Sequence, residues 1–400
     1  MKTRIFHNSY VSPTLAGAPA DRAPLEFHRR LPGYAPTPLV DAPGLAAALG
    51  VGRVWVKDES RRLGLPAFKI LGASWAVYRA LCARLCAEPP AWDTLDDLAA
   101  RLAPLRPLTL AAATDGNHGR AVARMAALLG CSSHIFVPSG TAAARIRAIE
   151  GEGAVVTVVN GTYDDAVAHS AEQVNDRCLV ISDTSWPGYE EVPRWVIEGY
   201  STIFWEIEDE LTRRGEDGPD LVAVQIGVGA LAAAVVRHYR HGDGGPRTND
   251  EGSFVHPRSS VLRPRIVGVE PTRAACVLVS MRAGRIVELP GPHDSIMAGL
   301  NCGVASVVAW PAVSAGIDLF VAIEDERARE GMRALAAAGV VAGETGAAGV
   351  GGLIDLLTGE DAPSVRAALG VSGATRVLVL STEGATDPDA YARIVGRAVG

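Results

Sequence analysis

Lysine stands at only three positions of this 400-residue chain, 2, 57 and 69, although Lys and Arg together number 38. A chain that elsewhere prefers arginine keeps a lysine at position 69, in "LGLPAFKILGASWAVYRA", where charge alone does not explain the choice. Arginine stays protonated and non-nucleophilic, whereas a lysine amine can form an imine with a carbonyl. Lys69 follows the apolar pair Ala67 and Phe68 and opens an apolar-periodic run through Ile70, Leu71, Ala73, Trp75, Ala76 and Val77, the pattern of a helix start. The plainer alternative is a snorkelling lysine at the end of an element, and Lys57 in "VWVKDES", beside Asp58 and Glu59, reads that way.

Three junctions carry polar or glycine punctuation where α/β folds hold ligands, at the carboxyl ends of strands. In "AAATDGNHGRAV" a strand ends at Ala113, residues 114–118 form a tight loop through Gly116, and a helix follows. Its free backbone N–H groups suit a carboxylate. Asp115 there would repel such a ligand unless it has chemical work, or is simply a helix cap. In "VAVQIGVGALAAAVV" the residues Gly227, Val228, Gly229, Ala230 and Leu231 join a strand to a helix. Such a loop can cradle a phosphate, although it falls short of GxGxxG and no Walker lysine follows. No acidic residue ends a following strand at dinucleotide spacing, so a nicotinamide site fits poorly. In "RVLVLSTEGATD" a strand ends at Ser381 and Thr382, hydroxyls able to meet a ring nitrogen or merely to cap a turn. Asp183 ends another strand, before the aromatic segment "DTSWPGYEEVP", which either closes over a cofactor or packs a corner.

These groups need elements to hold them. Short apolar runs alternate with helix-period segments: "RVWV", "LTLAAA", "HIFV", "AVVTVV", "CLVIS", "LVAVQI", "RIVGVE", "DLFVAI" and "RVLVLS" read as strands. Helices are expected over segments such as 117–130, 141–151, 163–175, 190–213, 230–239, 325–338 and 346–358. Apolar strands separated by helices give mostly parallel sheets covered on both faces, an α/β architecture. Residues 240–264, rich in glycine, proline and polar side chains, read as an inserted surface loop.

Composition narrows the function classes. The chain is 48% hydrophobic and 21% charged with a formal charge of −7, an ordinary globular mixture without the basic stripe of a nucleic-acid binder. "MKTRIFHNSYVSPT" lacks the apolar core of a signal peptide, and no apolar run is long enough for a membrane span. The cysteines at 82, 86, 131, 178, 276 and 302 form no CxxC pair or compact framework, and fit reduced cytoplasmic thiols. No metal-ligand spacing stands out.

An imine-capable lysine, a carboxylate loop, a phosphate loop and a hydroxyl for a ring nitrogen together describe a pyridoxal 5'-phosphate site. The combination "DES…AFK…TDGNHG…DTSWPGYEE", with "GVGAL", "GVEP", "MAGLNCG", "GETGAAG" and "STEG", resembles the diaminopropionate ammonia-lyase family of fold type II pyridoxal-phosphate enzymes nearly end to end. Dehydratases of the same fold usually read SSGNH where this chain has TDGNH. The resemblance implies two doubly wound α/β domains, 1–71 with 186–400 and 72–185, in a tryptophan synthase beta-like arrangement. It implies Lys69 as the imine lysine with Phe68 beside it, residues 227–231 as the phosphate cradle, and Asn117 at the phenolic oxygen. Ser381 is implied at the pyridine nitrogen, Thr114, Asp115, Gly116 and His118 around the substrate, and Asp115 and Asp183 as active-site acids. The expected activity is elimination of ammonia from 2,3-diaminopropionate by a cytoplasmic homodimer. A serine or threonine dehydratase, or a β-substituted amino acid lyase or synthase, is the alternative.

Overall fold

The computed structural model describes residues 4–12, 14–15, 20–85, 92–114, 116–240, 247–248, 254–255 and 263–398. Two sheets organise the described chain. In chain order the strands are β1 (Ile5–His7), β2 (Leu39–Asp41), β3 (Arg53–Asp58), β4 (Thr109–Ala113), β5 (Ser132–Pro138), β6 (Val155–Val159) and β7 (Cys178–Val180). Then follow β8 (Leu221–Gln225), β9 (Arg247–Thr248), β10 (Phe254–Val255), β11 (Arg265–Pro271), β12 (Leu319–Ile323) and β13 (Arg376–Ser381). The larger sheet has the order β1-β12-β11-β8-β13-β3-β2, and the smaller the order β6-β5-β4-β7. The smaller sheet is wholly parallel, as is the interior of the larger one.

All nine apolar runs form strands. The two edge strands β1 and β2, three residues each and antiparallel to their neighbours, were not read from the sequence. Short edge strands carry too little alternation to register as a pattern. The helix expected over 190–213 is two helices, Glu191–Gly199 and Ser201–Arg214, meeting at Tyr200. Of the 240–264 insertion, most lies outside the described residues; within it β9 and β10 pair antiparallel. Cys86 also lies outside them, while Cys82 is buried.

Side-chain alternation divides the large sheet between two cores. Leu378 and Leu380 of β13 face the core built on helices Lys69–Arg84, Glu191–Gly199 and Ala230–Tyr239, while Val377 and Val379 face the core of Asp325–Ala337 and Ala348–Thr358. The chain runs outward from β8 through β11 to β12, then returns to place β13 on the other side of β8. A crevice is expected at such a switch point, at the carboxyl ends of β8 and β13.

Lys57 differs from its snorkelling expectation. It is 1% exposed, and its Nζ donates to Glu206 Oε2 at 2.7 Å and to the Thr37 carbonyl at 2.8 Å. Arg62 completes the network, with Nη1 2.6 Å from Glu206 Oε1 and Nη2 2.6 Å from Glu59 Oε1. Glu206 is supplied by a helix 149 residues further along, which no local pattern reveals. A buried charge survives only when so paired.

Candidate active site

The cleft at the switch point spans about 760 Å³ of space, its open mouth included. Lys69 enters it as the first residue of its helix. Two glycines let that helix approach its support: a Cβ on Gly72 would come within 2.5 Å of the Tyr200 ring, and one on Gly199 within 2.5 Å of the Leu71 carbonyl. The lysine helix therefore sits closer to Glu191–Gly199 than any side chain allows. Phe68, whose ring centroid lies 4.7 Å from that of Tyr200, closes the wall beneath Lys69.

Lys69 Nζ lies 2.6 Å from Asp183 Oδ2, and the Tyr163 hydroxyl donates to Asp183 Oδ1 at 2.9 Å. Burial by itself would raise the Asp183 carboxyl; the Lys69 ammonium, with His118 and the Tyr163 hydrogen bond, outweighs it and holds the group well below the usual carboxylate range. Asp183 is thus ionised beside a charged lysine, instead of sitting near neutrality as burial alone would predict. Burial, followed by the Asp183 charge, pushes the Tyr163 phenol well above its ordinary value, so Tyr163 remains a donor.

Opposite the lysine, β8 ends at Gln225 and residues 226–229 lead into helix Ala230–Tyr239. Gly229 takes φ +104°, and no side chain caps the helix. Its first N–H groups are therefore not claimed by a capping side chain. A Cβ on Gly227 would meet the Gly299 carbonyl at 3.0 Å, so the loop lies tight against residues 298–302. This uncapped cradle facing an amine fits a phosphate-bearing aldehyde.

Gly227, Val228, Gly229, Ala230, Leu231, Phe68, Lys69, Thr114, Asn117, His118 and Asp183 all line the cleft. Gly116 does not; at φ +150° it turns the loop, with its N–H bonded to Thr114 Oγ1 at 2.9 Å. His118 is buried, with Nε2 2.8 Å from the Ile181 carbonyl. Asp115 lies outside the described residues. Ser381, expected at the pyridine nitrogen, is fully buried at the end of β13; its hydroxyl has no hydrogen-bond partner among the described residues, and the next residue, Thr382, lines the cleft. Thr382 Oγ1 accepts from Gln225 Nε2 at 2.8 Å, leaving its own O–H to donate. Tyr163, Gln225, Thr345 and Glu383, to which no motif assigns a role, share the wall.

The aromatic segment packs a corner. Trp186 and Tyr189 stack with centroids 4.2 Å apart, the Tyr189 hydroxyl donates to the Val180 carbonyl at 2.6 Å, and neither ring lines the cleft. Ser185 Oγ, 2.8 Å from Ser306 Oγ, ties the segment across to the large-sheet side. The strand end that holds Asp183 is fixed from both sides by these contacts.

A lysine facing an uncapped glycine loop across a parallel-sheet switch point fits a pyridoxal-phosphate enzyme, and the family model described as "Pyridoxal-phosphate dependent enzyme" matches residues 30–373. The chain is 36% identical to the diaminopropionate ammonia-lyase of Salmonella typhimurium over 386 residues, 93% of this chain and 90% of that protein. To the Escherichia coli diaminopropionate ammonia-lyase it is 34% identical over 396 residues, 98% of this chain and 94% of that protein. The crystal structure of the E. coli enzyme in complex with an aminoacrylate-PLP azomethine reaction intermediate superposes with a TM-score of 0.83 at 31% identity, covering 98% of this chain and 96% of the other. The chain belongs to the diaminopropionate ammonia-lyase family of pyridoxal-phosphate dependent enzymes. Among the described residues no helix is long and apolar enough to cross a membrane, and no group of metal-ligating side chains occurs.

Proposed function

We propose that this protein eliminates ammonia from 2,3-diaminopropionate, and that the product enamine takes up water to give pyruvate and a second ammonia. The observation that carries this reading is the Lys69–Asp183 pair set across one cleft from the uncapped 227–231 cradle. Bound through Lys69, pyridoxal phosphate supplies the electron sink that makes the Cα proton removable. The backbone N–H groups of residues 227–231 hold the phosphate, and Asn117 serves the phenolic oxygen. Ser381, whose buried hydroxyl has no other hydrogen-bond partner among the described residues, serves the ring nitrogen. A neutral hydroxyl does not protonate that nitrogen, which leaves a carbanion short-lived and favours loss of a β-group over transamination.

Lys69, displaced by the substrate amine, takes the Cα proton on the face it occupied. Thr114 and His118, on a loop turned by Gly116 and carrying Asp115, hold the substrate carboxylate. The β-amine is a poor leaving group and must depart as ammonia, so it needs a proton donor. Asp183 and Asp115 are the acids for this step. The charged Lys69 is the largest influence against burial at Asp183, ahead of His118 and the Tyr163 hydrogen bond; when that charge is lost the proton affinity of Asp183 rises, which suits it to exchange a proton. The working form in this proposal is a homodimer in the cytoplasm, and sedimentation of the holoenzyme tests the dimer.

The deciding experiment is a lactate-dehydrogenase-coupled pyruvate assay over 2,3-diaminopropionate, serine and β-chloroalanine, with 2-oxobutyrate measured for threonine. A kcat/KM at least tenfold higher for 2,3-diaminopropionate, with two ammonia per pyruvate, supports the proposal. A preference for serine or threonine replaces it with the dehydratase reading.

A further inference from the structure

Glu383 is a cleft carboxylate without an assigned task. It lies two residues beyond the end of β13, is 2% exposed, and its Oε2 accepts from Asn117 Nδ2 at 2.5 Å while its Oε1 accepts from the Thr345 N–H at 3.2 Å. Its backbone has little freedom. It bridges to Ala67, two residues before Lys69, and its carbonyl accepts from the Gly343 N–H at 3.0 Å. A Cβ on Gly346 would stand 2.5 Å from that carbonyl, so the 343–346 loop packs directly on it. The carboxylate is thus held between the segment that delivers Lys69, the 343–346 loop and the first residue of helix Asn117–Leu128.

An asparagine amide presents a donor end and an acceptor end of nearly the same shape, and only its partners decide which way it faces. An ionised carboxylate accepts and never donates. Asn117 turns its NH2 towards Glu383 Oε2, and the second hydrogen of that NH2 remains for the cleft that Asn117 lines. We propose that Glu383 is a positioning residue that fixes the amide orientation of Asn117, so that the bound cofactor's phenolic oxygen meets an N–H donor and not a carbonyl. This rests on the reading of Asn117 as the partner of that oxygen. It assigns a task to the acid of the "STEG" segment and links the lysine-bearing segment to the substrate loop through one residue, by its backbone on one side and its side chain on the other.

Glu383→Gln is the informative substitution. The site needs two acceptors; glutamine supplies one. The Thr345 N–H cannot reverse, so the new amide oxygen faces it and the new NH2 faces Asn117. Asn117 must then turn over and withdraw its N–H from the cofactor. A donor to an anionic oxygen stabilises the anion and lowers the pH at which it forms. Its loss moves the absorbance titration of the bound cofactor upward, by about one pH unit for a hydrogen bond to a charged group.

The experiment titrates the visible absorbance of the wild-type, Glu383→Gln, Asn117→Ala and doubly substituted holoenzymes, with cofactor dissociation constants from equilibrium dialysis. The expected result is an upward shift of similar size in both single variants, weaker cofactor binding in each, and no further shift in the double variant. If Asn117→Ala leaves the midpoint unmoved, the reading of Asn117 fails. If Asn117→Ala shifts it and Glu383→Gln does not, or if the shifts add in the double variant, Glu383 does not act through Asn117. Should Glu383→Gln not yield folded holoenzyme, Glu383→Ala removes the bias without inserting a donor and must shift the midpoint part of the way; an unchanged midpoint overturns the proposal.

Discussion

Replacing Glu206 by glutamine should cost more stability than any surface charge substitution in this protein. Its carboxylate receives Lys57 Nζ at 2.7 Å, Arg62 Nη1 at 2.6 Å and Nη2 at 2.7 Å, the Tyr34 hydroxyl at 2.8 Å and the Thr37 N–H at 3.2 Å. Both cations are at most 1% exposed, so removing this charge leaves two buried cations with Glu59 as their remaining close anion. Breaking a buried pair on one side costs about 3–5 kcal/mol. With an unfolding entropy of about 2.1 cal/mol/K per residue, a 400-residue chain loses roughly 4–6 °C in Tm. Glu190→Gln is the control, since its Arg194 partner is 58% exposed and an exposed pair contributes about 0–1 kcal/mol. The same group sets a pH dependence. Burial would raise the Glu206 carboxyl, but Arg62 and then Lys57 bring it down to about 2. Its folded value lies below its unfolded one, so its stabilisation is complete above about 4.5 and is lost as pH falls towards 2. Calorimetry of both variants between pH 3 and 8 measures this. A Glu206→Gln loss no larger than that of Glu190→Gln would refute the reasoning.

Other substitutions probe the site itself. Lys69→Arg keeps the charge near Asp183 and loses imine chemistry, so folded protein with no measurable turnover is expected, and more than about a hundredth of wild-type kcat would contradict it. Asp183→Asn removes the anion 2.6 Å from Lys69 Nζ and should lower kcat by about a hundredfold or more; a kcat within twofold of wild type argues against an acid–base task. Comparing the D- and L-isomers in Asp183→Asn and Asp115→Asn separates a base for one face from a binding role: unequal losses support two bases, equal losses support binding. Burial lifts the Glu270 carboxyl to about 8, against N–H bonds from Val277 and Leu278. The folded state therefore binds this proton more tightly than the unfolded chain, and stability falls as pH rises from about 4.5 to about 8. Glu270→Gln should flatten that decline in a Tm-against-pH series, and an unchanged slope would show that the group does not titrate there.

What the sequence revealed follows local rules. Parallel strands buried on both faces are continuous apolar runs, so β3, β8, β11, β12 and β13 were legible, and a glycine loop between β8 and its helix is a local feature too. Lys69 stood out because the chain avoids lysine elsewhere. Ser381 and Thr382 show the limit: two adjacent hydroxyls look alike in sequence, and only the fold shows that Thr382 lines the cleft while the Ser381 hydroxyl is buried without a partner among the described residues. Tyr163, on the helix following β6, reaches Asp183 only through the packing of the small sheet, and Glu383 meets Asn117 across 266 residues. A signal for both Gln225 and Glu383 was nonetheless present. Each is a polar side chain closing or just following a buried, mostly apolar strand, where it must find partners or serve a ligand.

The claim on which everything else depends is that Lys69 carries the cofactor. Borohydride reduction of the yellow holoenzyme, followed by peptide mass spectrometry, tests it directly. The account predicts loss of the visible absorbance and a pyridoxyl-phosphate mass increment on the peptide containing Lys69, absent from Lys69→Arg. An increment on Lys57 or Lys2, or an unreactive chromophore, would contradict it.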